Sequence, residues 1–298
     1  MNNQPNKVYA AALTPFSRDL QVDTALLARH CGTLLAGGCD GVSLFGTTGE
    51  ANSMSIAERI NGLEAVLEGG IPARTLMPGT GCCSVIDSVI LTKHALANGV
   101  TDVLVLPPFF YKNVSDDGVF DAYAYLIDKV DDPRLRVYLY HIPQYSGVPL
   151  GLELIARLRA AYPDIVVGIK DSSADAANLL SLCALEGFRV FVGAERLIRR
   201  ALHAGAAGTI CALGNTSGET LAALCADAGS DSADGLQSQI TAELDLVDRY
   251  GFIPALKAHL AVEQQNATWE NVRPPLTGLA TARRFEVNEA FEGLAVAR

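Results

Sequence analysis

Lysine is scarce in the 298 residues, and its placement singles out one copy. Of Lys7, Lys93, Lys112, Lys129, Lys170 and Lys257, only Lys170 ends a strongly apolar, β-prone run, Ile165-Val166-Val167-Gly168-Ile169. An ammonium drawn into a low-dielectric interior loses hydration, which favours the neutral amine, and a neutral amine can attack a ketone to form a Schiff base. The competing reading is a structural ion pair with Asp171. Alternation along a strand sends adjacent side chains to opposite faces, which opposes that pairing while the strand continues. Tyr140 ends another β-prone run and could relay protons during carbinolamine and imine formation, or could be only a packed aromatic. His141 should point away from Tyr140. It joins no other His or carboxylate at ligand spacing, so no metal is expected and a metal-dependent aldolase is disfavoured. Gly46-Thr47-Thr48-Gly49 places two hydroxyls between two glycines just before an expected helix start. Such a loop can bring backbone amides to a carboxylate, or can be an ordinary turn with threonine caps.

These residues need a scaffold that gathers strand ends. β-prone runs recur at Val8–Leu13, Gly41–Leu44, Thr75–Met77, Val103–Leu106, Arg136–Tyr140, Ile165–Lys170, Val190–Gly193 and Thr209–Ala212. Most are apolar almost without alternation, as strands covered on both faces should be. Between them lie segments of helical spacing: Thr24–Ala36, Ser55–Leu67 with Ile56, Ile60, Leu63 and Leu67 on one face, and Ser84–Ala97. Eight strands alternating with helices predict an α/β fold, a (β/α)8 TIM barrel over residues 1–225, with active-site groups at the carboxyl ends of the strands. An open doubly wound sheet is the alternative, but no G-x-G-x-x-G follows the first strand. Residues 226–298 carry no strand-like run and read as a C-terminal helical appendage, with helical stretches at Leu236–Arg249 and Pro254–Glu263 after one at Glu219–Ala226.

Composition limits the partners. With 49% hydrophobic residues the chain can fill a large core, and a formal net charge of −10 without a basic cluster argues against nucleic acid. Seven cysteines, an odd number without CxxC spacing, read as small buried hydrophobes in a reducing cytoplasm. The polar opening, Met1 to Lys7, lacks a signal-peptide apolar core, and the longest uncharged stretch, 201–218, is too polar to span a membrane.

Together these pieces resemble the dihydrodipicolinate synthase/N-acetylneuraminate lyase superfamily of Schiff-base-forming barrel enzymes. The resemblance is carried by Ala12-Leu13-Thr14-Pro15-Phe16, Gly46-Thr47-Thr48-Gly49-Glu50, Gly79-Thr80-Gly81, Tyr140-His141-Ile142-Pro143, Gly168-Ile169-Lys170-Asp171, Phe191-Val192-Gly193 and Gly208-Thr209-Ile210, in consistent order over nearly the whole chain. It implies that Lys170 forms an imine with pyruvate or another 2-oxo acid, that Tyr140 relays protons, and that Thr47 and Thr48 hold the carboxylate and join the relay. It also implies that Gly193 and Ile210 line the pyruvate end through backbone groups, that no cofactor is needed, and that the chain forms a homo-oligomer, a dimer or a tetramer of two tight pairs. Two positions depart from the pattern. Tyr145 stands where synthases place an arginine for a dicarboxylic aldehyde. Phe110 stands where a relay tyrosine is expected, with Tyr111 one residue away. The implied function is therefore a class I aldolase or lyase that makes or cleaves a 2-keto-3-deoxy sugar acid, with a 2-oxo acid and an aldehyde as partners. Dihydrodipicolinate synthase, a dehydratase of keto-deoxy sugar acids and a keto-acid-binding protein are the alternatives.

Overall fold

The computed structural model describes residues 6–296, so the opening residues up to position 5 lie outside it. Seven parallel strands, β1 (Lys7–Ala11), β2 (Gly41–Ser43), β3 (Asp102–Val105), β4 (Arg136–His141), β5 (Val166–Asp171), β6 (Arg189–Val192) and β7 (Gly208–Cys211), form one sheet in the order β2-β1-β7-β6-β5-β4-β3. The chain between β2 and β3 joins the two edges: Leu76 bridges Val42 and Gly79 bridges Leu104. The amide of Met77 donates to Val42 and that of Thr80 to Leu104, each at 2.9 Å. The sheet thus closes on itself, as expected of a (β/α)8 barrel.

The third expected run is the one that departs from regular strand. Ala73–Thr75 is a turn of 3-10 helix, and Thr75–Met77 contributes only the bridge at Leu76. Pro78 has no N–H to donate towards β3, while on the β2 side Met77 and Gly79 still donate to Val42 and Leu44.

Around the strands run α1 (Thr24–Ala36), α2 (Ile56–Glu68), α3 (Val85–Ala97), α4 (Asp116–Val130), the short α5 (Pro143–Ser146), α6 (Leu152–Ala161), α7 (Ala176–Cys183), α8 (Ile198–His203) and α9 (Gly218–Ala226). Side chains that accept from exposed amides start several of them: Asp23 caps α1, Ser84 caps α3, and Ser55 with Glu58 forms a capping box on α2. Leucine, isoleucine and valine from helices and outer strand faces fill the layer between them. A second, smaller cluster fills the barrel itself with Tyr9, Ala11, Met77, Leu104, Tyr138, Tyr140, Ile142, Phe191 and Ile210. Gly168 makes room for it, since a Cβ there would lie 2.6 Å from the Tyr138 ring. Not every cysteine matches the expected burial. All seven are free, but Cys83 is exposed, and Cys82 and Cys183 are half-buried.

The C-terminal helices α10 (Ala233–Tyr250), α11 (Phe252–Glu263) and α12 (Thr281–Val296) are fastened to the barrel by buried charge. Lys257 of α11 is fully buried, and its Nζ lies 2.5 Å from Glu50 Oε1, 2.8 Å from the Asn271 carbonyl oxygen and 4.4 Å from the centre of the Phe16 ring. Burial pushes the Lys257 ammonium down to about 8, against the pull of Glu50. The backbone N–H of Arg273 donates to the other Glu50 oxygen at 2.9 Å, and its guanidinium forks onto Glu58. Glu50 is the last residue of Gly46-Thr47-Thr48-Gly49-Glu50, so these contacts fix the loop that carries the threonine pair. Among the described residues no helix is long and apolar enough to cross a membrane.

The Arg273 guanidinium holds the Glu58 carboxyl down at about 2, below its ordinary 4.5. Because the unfolded chain then binds the proton more readily, this contribution to stability is complete above the ordinary value and is lost as pH falls towards 2. The stability loss caused by Glu58→Gln should therefore be larger at about pH 6 than at about pH 3. Urea midpoints at the two pH values measure it, and an equal loss at both would contradict the assignment.

Candidate active site

The carboxyl ends of the strands open into a cavity of about 550 Å3. Lys170 and Tyr140 face it from β5 and β4, where they are paired directly across the ladder. Parallel register puts directly paired residues on the same face, so the amine lies over the phenol ring, 4.5 Å from its centre. Lys170 is only 6% exposed, and among the described residues it forms no hydrogen bond or ion pair. Asp171 takes the opposite face. One of its oxygens accepts from the Ser173 amide at 2.9 Å and the other from Asn178 Nδ2 at 3.1 Å, which leaves it no part in an ion pair with Lys170. His141 is likewise turned away: its Nδ1 accepts from the Leu150 amide at 3.0 Å, and burial lowers its proton affinity.

The Tyr140 hydroxyl lies 3.3 Å from Thr47 Oγ1, which connects the lysine's neighbour to the glycine–threonine loop. Phe45 and Glu50, both with φ of 55°, hold the left-handed conformation at the two ends of that loop. Thr14 Oγ1 donates to the Gly49 carbonyl at 2.7 Å and pins it to the end of β1. Thr48 is buried in the cavity wall. The helix expected after the loop, at Ser55–Leu67, begins where the sequence places it. Glu50 leads into a 3-10 turn, Ala51–Ser53, and α2 waits for its cap at Ser55.

Gly193 follows β6 and must be a glycine for steric reasons. A Cβ would lie 2.0 Å from Ser172 Oγ and 2.8 Å from Lys170 Cε. Ile210 is fully buried in the barrel interior with Phe191 and Tyr140, while Cys211 and Ala212 reach the cavity wall. Tyr145 lines the cavity although it is 71% exposed. Phe110 and Tyr111, at 72% and 74% exposed, pack edge-to-face on each other and do not line the cavity of their own chain. Gln144 and Ser172 also face it, and Gln144 Nε2 donates to the Ser172 carbonyl oxygen at 2.7 Å.

Sequence reasoning misses Glu195. This residue lies two positions after Gly193, is 5% exposed, and accepts from the Ala212 amide at 3.0 Å. Burial raises its carboxyl above the ordinary value, and the positive charge of Lys170 opposes that rise. The strand-end rule applied past β6 would have reached it. Arg196, Leu244, Asp248 and Phe252, which complete the far wall, come from the turn after Glu195 and from the junction of α10 and α11. No strand-end rule points to the residues of that junction.

The model of the dihydrodipicolinate synthetase family matches residues 4–293, and the chain belongs to that family, whose members are lyases. An uncharacterized DapA-like lyase from Chloroflexus aurantiacus is 36% identical over 301 residues, covering 97% of each chain. Dihydrodipicolinate synthase from Agrobacterium tumefaciens superposes with a TM-score of 0.90 at 31% identity over 97% of this chain and 99% of its own. A variant of 2-keto-3-deoxygluconate aldolase from Sulfolobus solfataricus shares the fold, with a TM-score of 0.88 at 21% identity over 98% of this chain and 97% of its own.

Gly193→Ala should displace Lys170 and Ser172 while leaving the barrel folded. A displacement on the scale of 1 Å lowers turnover roughly ten- to a hundredfold. Initial rates and circular dichroism melting test this together, and unchanged rates would show that the tight fit at Gly193 has no bearing on the amine.

Proposed function

We propose that the chain is a class I lyase in which Lys170 forms a Schiff base with a 2-oxo acid, pyruvate or a 2-keto-3-deoxy sugar acid. The observation that carries this reading is a buried, unpaired amine set over the ring of a tyrosine whose hydroxyl reaches Thr47. The Lys170 nitrogen adds to the C2 carbonyl, and the carbinolamine loses water to give a protonated imine. Tyr140, backed by Thr47, passes the protons that these two steps require. Thr48 and the loop amides hold the carboxylate. In the cleavage direction the C4 hydroxyl gives up its proton and the C3–C4 bond breaks. Its electron pair enters the imine as an enamine, and the aldehyde leaves. Protonation at C3 and hydrolysis then release pyruvate, and synthesis is the reverse.

Ser172 and the aromatic hydroxyl of Tyr145 suit a hydroxylated tail, which favours the keto-deoxy sugar acid. Synthesis from aspartate semialdehyde is the second reading, favoured by the likeness to the Agrobacterium synthase and opposed by Tyr145, which supplies no charged fork for a second carboxylate. The seven free cysteines suit a reducing compartment such as the cytoplasm, and the exposed pair Phe110 and Tyr111 suits burial against a second copy in a homodimer or homotetramer.

Lys170→Ala is expected to abolish aldehyde release from keto-deoxy sugar acids while the melting curve stays cooperative. Retained turnover would refute the mechanism. Tyr145→Arg should raise activity with aspartate semialdehyde by roughly tenfold, the scale of one charge-assisted hydrogen bond gained. No rise at all would remove the specificity role of that position.

A further inference from the structure

The ionisable side chains of the cavity wall are unevenly committed. Lys170 and Arg196 are its cations, Glu195 and Asp248 its carboxylates, and Tyr140 and Tyr145 its phenols. On the reading above, the charge of Lys170 belongs to the imine, so the far end has only the Arg196 guanidinium with which to meet an anionic tail. That guanidinium is already occupied. Its Nη2 lies 2.5 Å from Asp245 Oδ1 and 3.6 Å from Asp248 Oδ2. Asp245 and Asp248 are three residues apart on α10, which sets them on one face of the helix opposite the turn that carries Arg196.

We infer that this acidic clamp sets tail specificity: the aldehyde end accepts an uncharged, hydroxylated tail and rejects one that ends in a phosphate or a carboxylate. The inference rests on the imine reading and adds to it the class of the second substrate. Two carboxylates face one guanidinium even when Glu195 carries a proton, so an incoming anion meets net negative charge. Exposed pairs of this kind add little to stability, with side chains about half exposed here at 45%, 56% and 54% for Arg196, Asp245 and Asp248. Their effect is on selection, because like charge placed against like charge discriminates between ligands more strongly than a rim ion pair stabilises a fold. A hydroxyl, in contrast, can donate to the free lone pairs of Asp248. Beside them, Leu244, Phe252, Ile253 and Pro254 close the wall with apolar surface and offer no competing donor for an anion beyond the backbone.

The test is a panel of three aldehydes condensed with pyruvate: glyceraldehyde, glyceraldehyde 3-phosphate and succinic semialdehyde. The unmodified protein should show a higher kcat/KM with glyceraldehyde than with either anionic aldehyde. Asp245→Asn combined with Asp248→Asn should move that ratio towards the anionic aldehydes by roughly tenfold or more, as the release of Arg196 and the loss of two like charges require. Arg196→Gln should move it the other way. All three positions are exposed, so folding is not at stake. A native preference for an anionic aldehyde, or a ratio that the double substitution leaves unmoved, overturns the inference. Borohydride trapping of pyruvate by the unmodified protein is run alongside. Trapping with an unmoved ratio overturns the tail specificity alone, whereas no trapping overturns the imine reading and this inference with it.

Discussion

An amine that is to attack a ketone must reach the space where the ketone binds and must not be held by an anion. Two lysines of this chain are removed from water, and their surroundings differ in that second respect. Lys257 is engaged by Glu50, the Asn271 carbonyl and the Phe16 ring, so it acts as a tether. Lys170 meets a π-face and the edge of a cavity instead. Strand alternation makes the difference, since it turns Asp171 onto the helix side and leaves the amine without a hydrogen-bonded carboxylate. The rest of the barrel keeps this arrangement in place, and the cavity opens directly onto it.

The tether and the amine of Lys170 are parts of one arrangement. Breaking a buried pair by removing one partner leaves an uncompensated charge that costs about 3–5 kcal/mol, so the Lys257–Glu50 contact strongly specifies where α11 sits. Glu50 closes the loop that bears Thr47 and Thr48, and Arg273 binds both Glu50 and Glu58. The C-terminal helices thus set the position of a loop on the far side of the chain from them in sequence, and their α10–α11 junction also walls the cavity. Without them the loop would lose these contacts and the cavity its far wall.

Local signals in the sequence are enough for the strands that bury both faces and for α1, α2 and α3, but not for α4 and α7, although Ser115 and Asp175 cap them. Ser55 and Ser84 open the expected helical segments and cap the observed helices, while Asp23 caps α1 one residue before the expected start. Register is also legible, since Tyr140 and Lys170 sit one residue before the ends of neighbouring strands and pair across the ladder. The Thr75–Met77 run narrows to one bridge at Leu76 after a 3-10 turn over Ala73–Thr75, which a β-prone composition does not announce. Helix α12 went unread, although Val287 and Phe291 are buried four residues apart on one of its faces. Charge pairing was the least legible feature. Lys257 and Glu50 are 207 residues apart, and the clamp on Arg196 joins a turn to a helix about fifty residues on. Such partners are chosen by the closed barrel and leave no trace in local spacing.

The central claim is that one buried amine among six lysines is the reactive one. Incubation with pyruvate and borohydride, followed by peptide mass mapping, tests it most directly. The account predicts a reduced pyruvate adduct on the peptide that carries Lys170 and none on the more deeply buried Lys257. An adduct confined to another lysine, or no adduct under conditions where the protein turns over substrate, would contradict it.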